Sequence, residues 1–507
     1  MIHSVVQLLD RTAARVPDNI AVEDENGALT YAALREHALR VAAGLVSAGV
    51  GVRAPVAVLM DKGRESVACF QGILYSGNFY VPLDEKAPPA RLEKILQNLS
   101  PRFVIADERA ADQLRGMGFP EEKILLLARL LTHAPDRAAA DDRLRGMLDT
   151  DPVYVKYTSG STGMPKGVII PHRGVLDYAA WVADSFSITE AARFGNQAPF
   201  YFDNSILDIY ACLLTGAAMH IIPEVLFQFP GKLPVYLREH RIDSIFWVPT
   251  VLMNVARSGA LDTCALPNLR RVLFCGEPMP SAALNVWKRS LPECLFANLY
   301  GPTEITDACT CYMVDRAFAD HEPLPIGFPC RNTRVLILLP DGTEAPPNEI
   351  GELCVLGSGV ALGYWNNPEA TGKGFVDNPL NPFFRERMYR TGDLARRDEN
   401  GLLWCLGRMD SQIKHKGNRI ELGEIETAAR ALSGISNACA LYDGEKQQIV
   451  LHYESAAPLP HRELTRRLSE HLPAYMLPGR SEAMPVLPLN ANGKIDRAAL
   501  RRTLEAR

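Results

Sequence analysis

Short, wholly apolar runs separated by amphipathic helical segments constrain this chain more than any other feature. Residues 56–60, 79–83 and 103–106 are apolar on both faces of a would-be strand. Such strands must be covered on both sides, as happens when a parallel sheet is flanked by helices. The intervening segments fit: Thr30 is placed to cap a helix through Ser47, with Leu34, Leu39, Val41 and Leu45 on its apolar face and Gly49 as its stop. Residues 64–74 and 90–99 read as further helices, and the alternation resumes at 206–214, 219–222, 245–248 and 272–274. The expected fold is α/β, with a large N-terminal domain of layered αβ sheets.

The pattern changes twice. From 325 to 406 glycines are dense and strands short (334–338, 351–356), which predicts a β-rich subdomain. Beyond it, a helix pattern at 421–432, strands at 439–442 and 449–453 about Asp443-Gly444, and a helix at 462–471 predict a small α+β domain. The expected division is 1–409 and 410–507. A chain of 507 residues, 47% hydrophobic and 22% charged, can build large cores without staples. Its 54 basic against 59 acidic residues, net −5, argue against a nucleic-acid binder, which needs a basic face. No apolar run reaches eighteen residues, so no membrane span is expected. The eleven cysteines are scattered without a CxxC pair, and Cys309 and Cys311 are too close for ordinary zinc spacing. Reduced cysteines and a cytoplasmic location are expected.

The strongest local signal runs from Tyr157 to Gly167 between strand-like 153–157 and 168–170. Thr158, Ser159, Ser161 and Thr162 offer hydroxyls, Gly160 and Gly163 allow backbone N–H groups to approach oxygens, and Lys166 adds charge. Together these suit a polyphosphate. The order of lysine and hydroxyls differs from the P-loop of NTPases.

This segment resembles the phosphate loop of the adenylate-forming superfamily: acyl-CoA synthetases, luciferases and adenylation domains of nonribosomal peptide synthetases. Four further motifs of that family occur in order. Asn298-Leu299-Tyr300-Gly301-Pro302-Thr303-Glu304 resembles the segment whose tyrosine stacks on adenine and whose glutamate holds Mg²⁺. Tyr389-Arg390-Thr391-Gly392-Asp393 resembles the segment whose aspartate binds the ribose hydroxyls. Gly407-Arg408-Met409-Asp410 resembles the hinge, with Arg408 near the ribose and Asp410 as pivot. Asn492-Gly493-Lys494 resembles the segment carrying the catalytic lysine. The resemblance implies ATP and Mg²⁺ as cofactors, with Thr158 to Gly163, Lys166, Asn298, Tyr300, Gly301, Thr303, Asp393 and Arg408 at the nucleotide and Glu304 at the metal. It also implies a C-terminal domain that rotates, carrying Gly417 beside a pantetheine path.

Asp203 resembles the aspartate by which the amino-acid-activating branch binds an α-amino group. Matching that branch's pocket pattern places Asn204, Leu207, Trp247, Leu273, Cys275, Leu299, Asp307 and Ala308 around the substrate. The resemblance extends to freestanding ligases that load D-alanine on a carrier protein. No carrier serine motif follows Lys494, so the expected partner is an acyl or peptidyl carrier protein in trans. The implied function is ATP-dependent adenylation of an amino-bearing acid and transfer to that carrier's phosphopantetheine thiol; an aryl- or acyl-CoA ligase is the alternative. Asp203 asks for an amine, Asp307 for a second donor, and Trp247 offers a flat face. A hydroxyanthranilate-like aminobenzoate meets all three; a small amino acid meets the first and suits a shallow pocket.

Overall fold

The computed structural model describes residues 2–160, 164–409, 412–455, 457–488 and 495–505. They form two compact units. The first comprises Met1–Glu85, Ser100–Lys156 and Gly167–Gly407; the second comprises Lys86–Leu99, Tyr157–Lys166 and Arg408–Arg507. The second unit therefore gathers two segments that a simple division at 409/410 leaves with the N-terminal part.

Two large sheets organise the first unit. One has seven strands, in the order Gly363–Tyr364, Lys166–Pro171, Pro152–Thr158, Phe79–Pro82, Pro55–Leu59, Phe103–Ala106 and Ile124–Leu126. The apolar runs at 56–60, 79–83 and 103–106 fall on its adjacent parallel strands, buried as their composition demands. Thr30 does cap the helix Tyr31–Ser47, accepting from the Ala33 N–H at 3.2 Å, and Gly49 follows at φ +76°.

The nine-stranded sheet positions the site. Its parallel centre runs Leu295–Tyr300, Arg271–Phe274, Ser244–Trp247, Arg193–Asn196, Ala218–Ile221 and Ile20–Asp24, with antiparallel strands at both edges. After Arg193–Asn196 the chain crosses through helix Ser205–Thr215 to a neighbour on one side, then returns to Ser244–Trp247 on the other. The connections thus diverge at Arg193–Asn196, and ligand crevices in open α/β sheets form at such a point, beyond the carboxyl ends of the strands. The β-rich subdomain is a five-stranded sheet built on Thr333–Leu338, Gly351–Gly357 and Arg387–Arg397.

In the second unit, strands Asn437–Asp443, Gln448–Glu454 and Arg480–Met484 form a sheet whose apolar side is covered by helices Leu422–Arg430 and His461–Leu468. The turn at Asp443-Gly444 is four residues long, 444–447, because Asp443 pairs with Gln448. Helix Pro89–Leu99 sends Arg91 to Glu424 as a buried ion pair.

Candidate active site

Three loops leave the carboxyl ends of the parallel strands beside the switch point. The turn 199–204 follows Arg193–Asn196, Cys275-Gly276 follows Arg271–Phe274, and Gly301–Ala308 follows Leu295–Tyr300. The Thr303 hydroxyl donates to Asp203 Oδ2 at 2.6 Å, joining the turn expected to hold substrate to the loop expected to hold nucleotide. Asp203 Oδ1 accepts from the Asn204 N–H at 3.1 Å, and both side chains are half-buried. A side chain at Gly301 has no room, since a Cβ there would lie 2.4 Å from the Asp307 carbonyl oxygen and 2.7 Å from Ala308 Cα.

Asp307 is fully buried. Its Oδ2 accepts from the Tyr178 hydroxyl at 2.7 Å, while Oδ1 has no partner among the described residues. Burial, reinforced by the charge of Asp203 and opposed by the Tyr178 bond and by the charge of Lys156, holds its carboxyl well above the usual carboxylate range. Thr306 and Asp307 are consecutive non-glycine residues at φ +64° and +81°. Such backbone costs about 1–3 kcal/mol per residue and persists where the surroundings impose it. Asn204 Nδ2 and the Thr310 and Tyr154 hydroxyls are further buried polar atoms without partners among the described residues.

Leu207, Leu273, Cys275, Leu299 and Ala308 share one buried cluster with Tyr154 and Tyr178. Trp247 does not join them. In the parallel register Phe246 stands beside Leu273 and Ala297, whereas Trp247 stands beside Phe274 and Asn298. Side chains alternate along a strand, so Trp247 belongs to the opposite face. There it packs edge-on against Phe227 within a second cluster, its indole N–H donating to the Gly195 carbonyl at 2.8 Å. The expectation that Trp247 lines the pocket is therefore corrected: Phe246 occupies the face shared with Leu273 and Leu299.

Lys156 is a residue that motif matching passed over. It lies in strand Pro152–Thr158 and is 1% exposed. Its ammonium donates to the Phe202 carbonyl and, at 2.8 Å, to the Ser205 hydroxyl, the residues that bracket Asp203 and Asn204. Burial pushes its pKa down to about 7 against the pull of Asp203 and Asp307. The signal in the sequence is one lysine between the apolar run Val153-Tyr154-Val155 and Tyr157, where the strand leads into the loop.

Tyr300, Asn298 and Glu304, matched to nucleotide motifs in the first unit, are each fixed by a hydrogen bond of their own. The Tyr300 hydroxyl donates to the Asp393 carboxylate, bringing the residues expected at adenine and ribose together. Asn298 Nδ2 donates to the Pro325 carbonyl at 2.8 Å. Glu304 is buried, and its Oε1 accepts from the Tyr364 hydroxyl at 2.7 Å. A single braced carboxylate fits Mg²⁺, which takes one or two protein oxygens and fills its octahedron with phosphates and water.

In the second unit, a Cβ at Gly160 would lie 2.0 Å from the Met164 carbonyl oxygen, so only glycine fits at this position. The Ser159 hydroxyl donates to the Arg419 carbonyl at 2.8 Å and accepts from the Glu421 N–H at 3.2 Å. Thr158 donates to the Lys166 carbonyl at 3.5 Å. Lys416 and Gly417, at φ +52° and +79°, make the two-residue turn between Gln412–His415 and Asn418–Glu421. That geometry alone accounts for a glycine there. Arg408 ends the strand Leu403–Arg408. Ser161, Thr162, Gly163, Asp410 and Lys494 lie outside the described residues.

Among the described residues no helix is long and apolar enough to cross a membrane. Residues 9–365 match the AMP-binding enzyme family. The chain is 33% identical over 500 residues to tyrocidine synthase 1 of Brevibacillus parabrevis, covering 98% of this chain and 45% of that protein. It is 34% identical over 510 residues to L-proline--[L-prolyl-carrier protein] ligase of Pseudomonas fluorescens, covering 97% of each. Holo-PA1221, a nonribosomal peptide synthetase protein containing adenylation and PCP domains, superposes with a TM-score of 0.84 at 28% identity, covering 99% of this chain and 84% of that one. With motifs in order and two-thirds of its length matched, this chain belongs to the AMP-binding enzymes.

Proposed function

We propose that the protein is an AMP-forming ligase that adenylates an amino-bearing carboxylic acid and passes the acyl group to the phosphopantetheine thiol of a separate carrier protein. The Thr303–Asp203 hydrogen bond carries this reading, because it sets the substrate's amine site against the loop assigned to ATP. A carboxylate attacking the α-phosphorus needs those two subsites adjacent. Similarity to the prolyl-carrier protein ligase over 97% of both chains supports the carrier as acceptor.

In the first half-reaction a substrate carboxylate oxygen bonds to the α-phosphorus of ATP, and the bond to the β-phosphate oxygen breaks to release pyrophosphate. In the second, the carrier's thiolate bonds to the acyl carbon and AMP leaves, the thiol proton having gone to solvent. Asp203 accepts from the amine, and Thr303 fixes the rotamer of that carboxylate. Tyr300 and Asp393 hold the nucleoside, Asn298 and Gly301 shape its loop, and Thr158, Ser159, Gly160, Lys166 and Arg408 serve the phosphates and ribose. Glu304, oriented by Tyr364, would hold Mg²⁺, which neutralises phosphate charge when bound. Lys494 stabilises the charge that builds between carboxylate and phosphate. Asp410 is assigned as the pivot between 1–409 and 410–507, and Gly417 as the lining of the pantetheine path. A cytoplasmic location belongs to the same proposal.

For the substrate, Asp307 supports one class over another. Its carboxyl is raised by burial and its Oδ1 has no partner among the described residues; protonated, it can donate to an acceptor on the substrate, and a hydroxyl beside an amine supplies one. Phe246, in place of Trp247, gives the apolar aromatic face. A hydroxyanthranilate-like aminobenzoate fits this set; a small α-amino acid is the second reading, favoured by the prolyl-carrier relative. ATP–pyrophosphate exchange with 3-hydroxyanthranilate, anthranilate, 3-hydroxybenzoate, alanine and proline tests it. The aminobenzoate reading expects 3-hydroxyanthranilate to lead; alanine or proline leading overturns it. Thioester formation on a carrier protein, compared with free coenzyme A, tests the acceptor.

A further inference from the structure

Lys156 has no part in the reaction as derived, yet its ammonium is buried against the turn that carries Asp203. An ammonium has three donors, and two are used on the Phe202 carbonyl and Ser205 hydroxyl. It also lies 5.2 Å from the centre of the Tyr154 ring, and the carboxylates of Asp203 and Asp307 act on its charge. Bonded to both sides of the turn that carries Asp203, a protonated Lys156 already places a positive charge beside the amine site. A substrate entering as an ammonium adds a second cation next to it. An arylamine adds none: its lone pair is delocalised into the ring, it is uncharged at neutral pH, and its N–H groups still donate to Asp203.

We propose that Lys156 is a specificity-determining residue that supplies a positive charge beside the turn that carries Asp203, so that the substrate's amine enters uncharged, as in an aminobenzoate, and not as the ammonium of an α-amino acid. This rests on Asp203 being the amine acceptor. Because burial pushes the Lys156 pKa down to about 7, the lysine is charged below that pH and neutral above it. An ammonium substrate enters only as Lys156 gives up its proton, so its disadvantage grows as pH falls below 7. The groups on the packed elements are Tyr154 on the same strand, Asp203 on the turn, Asp208 and Tyr210 on helix Ser205–Thr215, Asp307 on its loop, Tyr178 on helix His172–Ser185 and Tyr80 on strand Phe79–Pro82. Burial raises the four tyrosines, which stay neutral. Asp208, pushed up to about 7 by burial, titrates in the same window but is common to wild type and variant, so their comparison isolates Lys156.

The experiment is ATP–pyrophosphate exchange by the full chain, reading kcat/KM for anthranilate and 3-hydroxyanthranilate against alanine and proline. It is run at about pH 6 and about pH 8.5, in wild type and Lys156→Met, which keeps the length and loses the charge. In wild type the arylamine-to-α-amino ratio should be on the order of 10-fold higher at the lower pH, one proton being displaced per ammonium bound. In Lys156→Met the ratio should lose that pH dependence and fall at the lower pH by about 10- to 100-fold, the scale of one charge repulsion at an effective dielectric near 20. Lys156→Arg should preserve the wild-type preference. The wild-type pH comparison needs no variant to fold, and a flat ratio there overturns the proposal, as does an unchanged ratio in Lys156→Met. If benzoate is activated as well as anthranilate, the amine role of Asp203 falls and this proposal with it. If an amine is required but the ratio is flat, only the role of Lys156 falls.

Discussion

Replacing Asp307 by asparagine isolates the ionisation of this carboxyl from its packing. Asparagine keeps the shape, keeps an oxygen for the Tyr178 hydroxyl at 2.7 Å, and tolerates the left-handed backbone at φ +81°. What it loses is a titrating proton. The folded carboxyl is raised above its unfolded value by burial and by Asp203, so from about pH 4 upward the native state holds a proton that the unfolded state has released. A native state that binds more protons loses stability as pH rises, by up to about 1.4 kcal/mol per unit until the folded carboxyl ionises. Asp307→Asn carries no such penalty. Its stability relative to wild type should therefore climb as pH rises above the ordinary carboxylate range, measured by urea unfolding at each pH. Asp307→Ala is the contrast: it orphans the Tyr178 hydroxyl, at about 1–3 kcal/mol, and adds about 1–2 kcal/mol of left-handed strain at every pH. A wild-type–Asp307→Asn difference that is constant with pH, or that turns in favour of wild type, means Asp307 is ionised in the fold and refutes the uncharged-acid assignment.

Three further outcomes are expected. Lys494→Ala should lower pyrophosphate exchange by about 10²–10³ while supplied acyl-adenylate is still converted to thioester; equal loss in both half-reactions refutes the assignment. Thr303→Val should raise KM for amine-bearing acids by roughly 5- to 30-fold through the freed Asp203 carboxylate, with little change for benzoate. Trp247→Phe should lower stability by about 1–3 kcal/mol in urea without altering substrate ranking, whereas Phe246→Leu should erode the preference for aromatic acids by roughly 2- to 10-fold. The opposite pattern restores Trp247 to the pocket.

The strands at 56–60, 79–83 and 103–106 were legible because burial on both faces leaves a wholly apolar run, and Thr30 because capping is local. The face of a strand is not local. A one-residue slip in matching 245–248 turned Trp247 toward the substrate, and the register with Arg271–Phe274 was needed to turn it back. Lys156 was unreadable for a related reason: a lysine at one position of a strand is the same letter whether it meets solvent or the Phe202 carbonyl. The partner of Asp307 lies 129 residues away, on a helix whose sequence says only that Tyr178 is on its apolar side. Gly417 shows the converse, a glycine whose positive φ in a two-residue turn explains it without any ligand.

Asp307 and Lys156 are electrostatically linked to each other and to Asp203, whose charge acts on both. The negative charge of Asp203 helps keep Asp307 protonated. A cation bound at Asp203 cancels that influence and eases Asp307 toward ionisation, changing it from a donor to an acceptor. An uncharged amine leaves the influence in place, and Asp307 stays a donor through its proton. The charge state of the amine at one end of the substrate therefore fixes what Asp307 requires at the other. An ammonium pairs with a substituent that donates, and a neutral amine with one that accepts. A phenolic hydroxyl can do either, but a benzoate ring bearing a methoxy group in its place can only accept. With the neutral-amine assignment, 3-methoxyanthranilate should keep the electrostatic advantage of 3-hydroxyanthranilate wherever its methyl group fits. If the site instead binds the arylamine in its protonated form, Asp307 is drawn toward ionisation and the methoxy compound should lose that advantage through an unpaired carboxylate, at about 1–3 kcal/mol. Exchange kinetics with the two compounds, in wild type and in Asp307→Asn, separate steric loss from electronic loss. Steric loss persists in the variant, whose amide still donates; if the methoxy compound recovers on Asp307→Asn, Asp307 was an acceptor in the complex and the neutral-amine assignment fails.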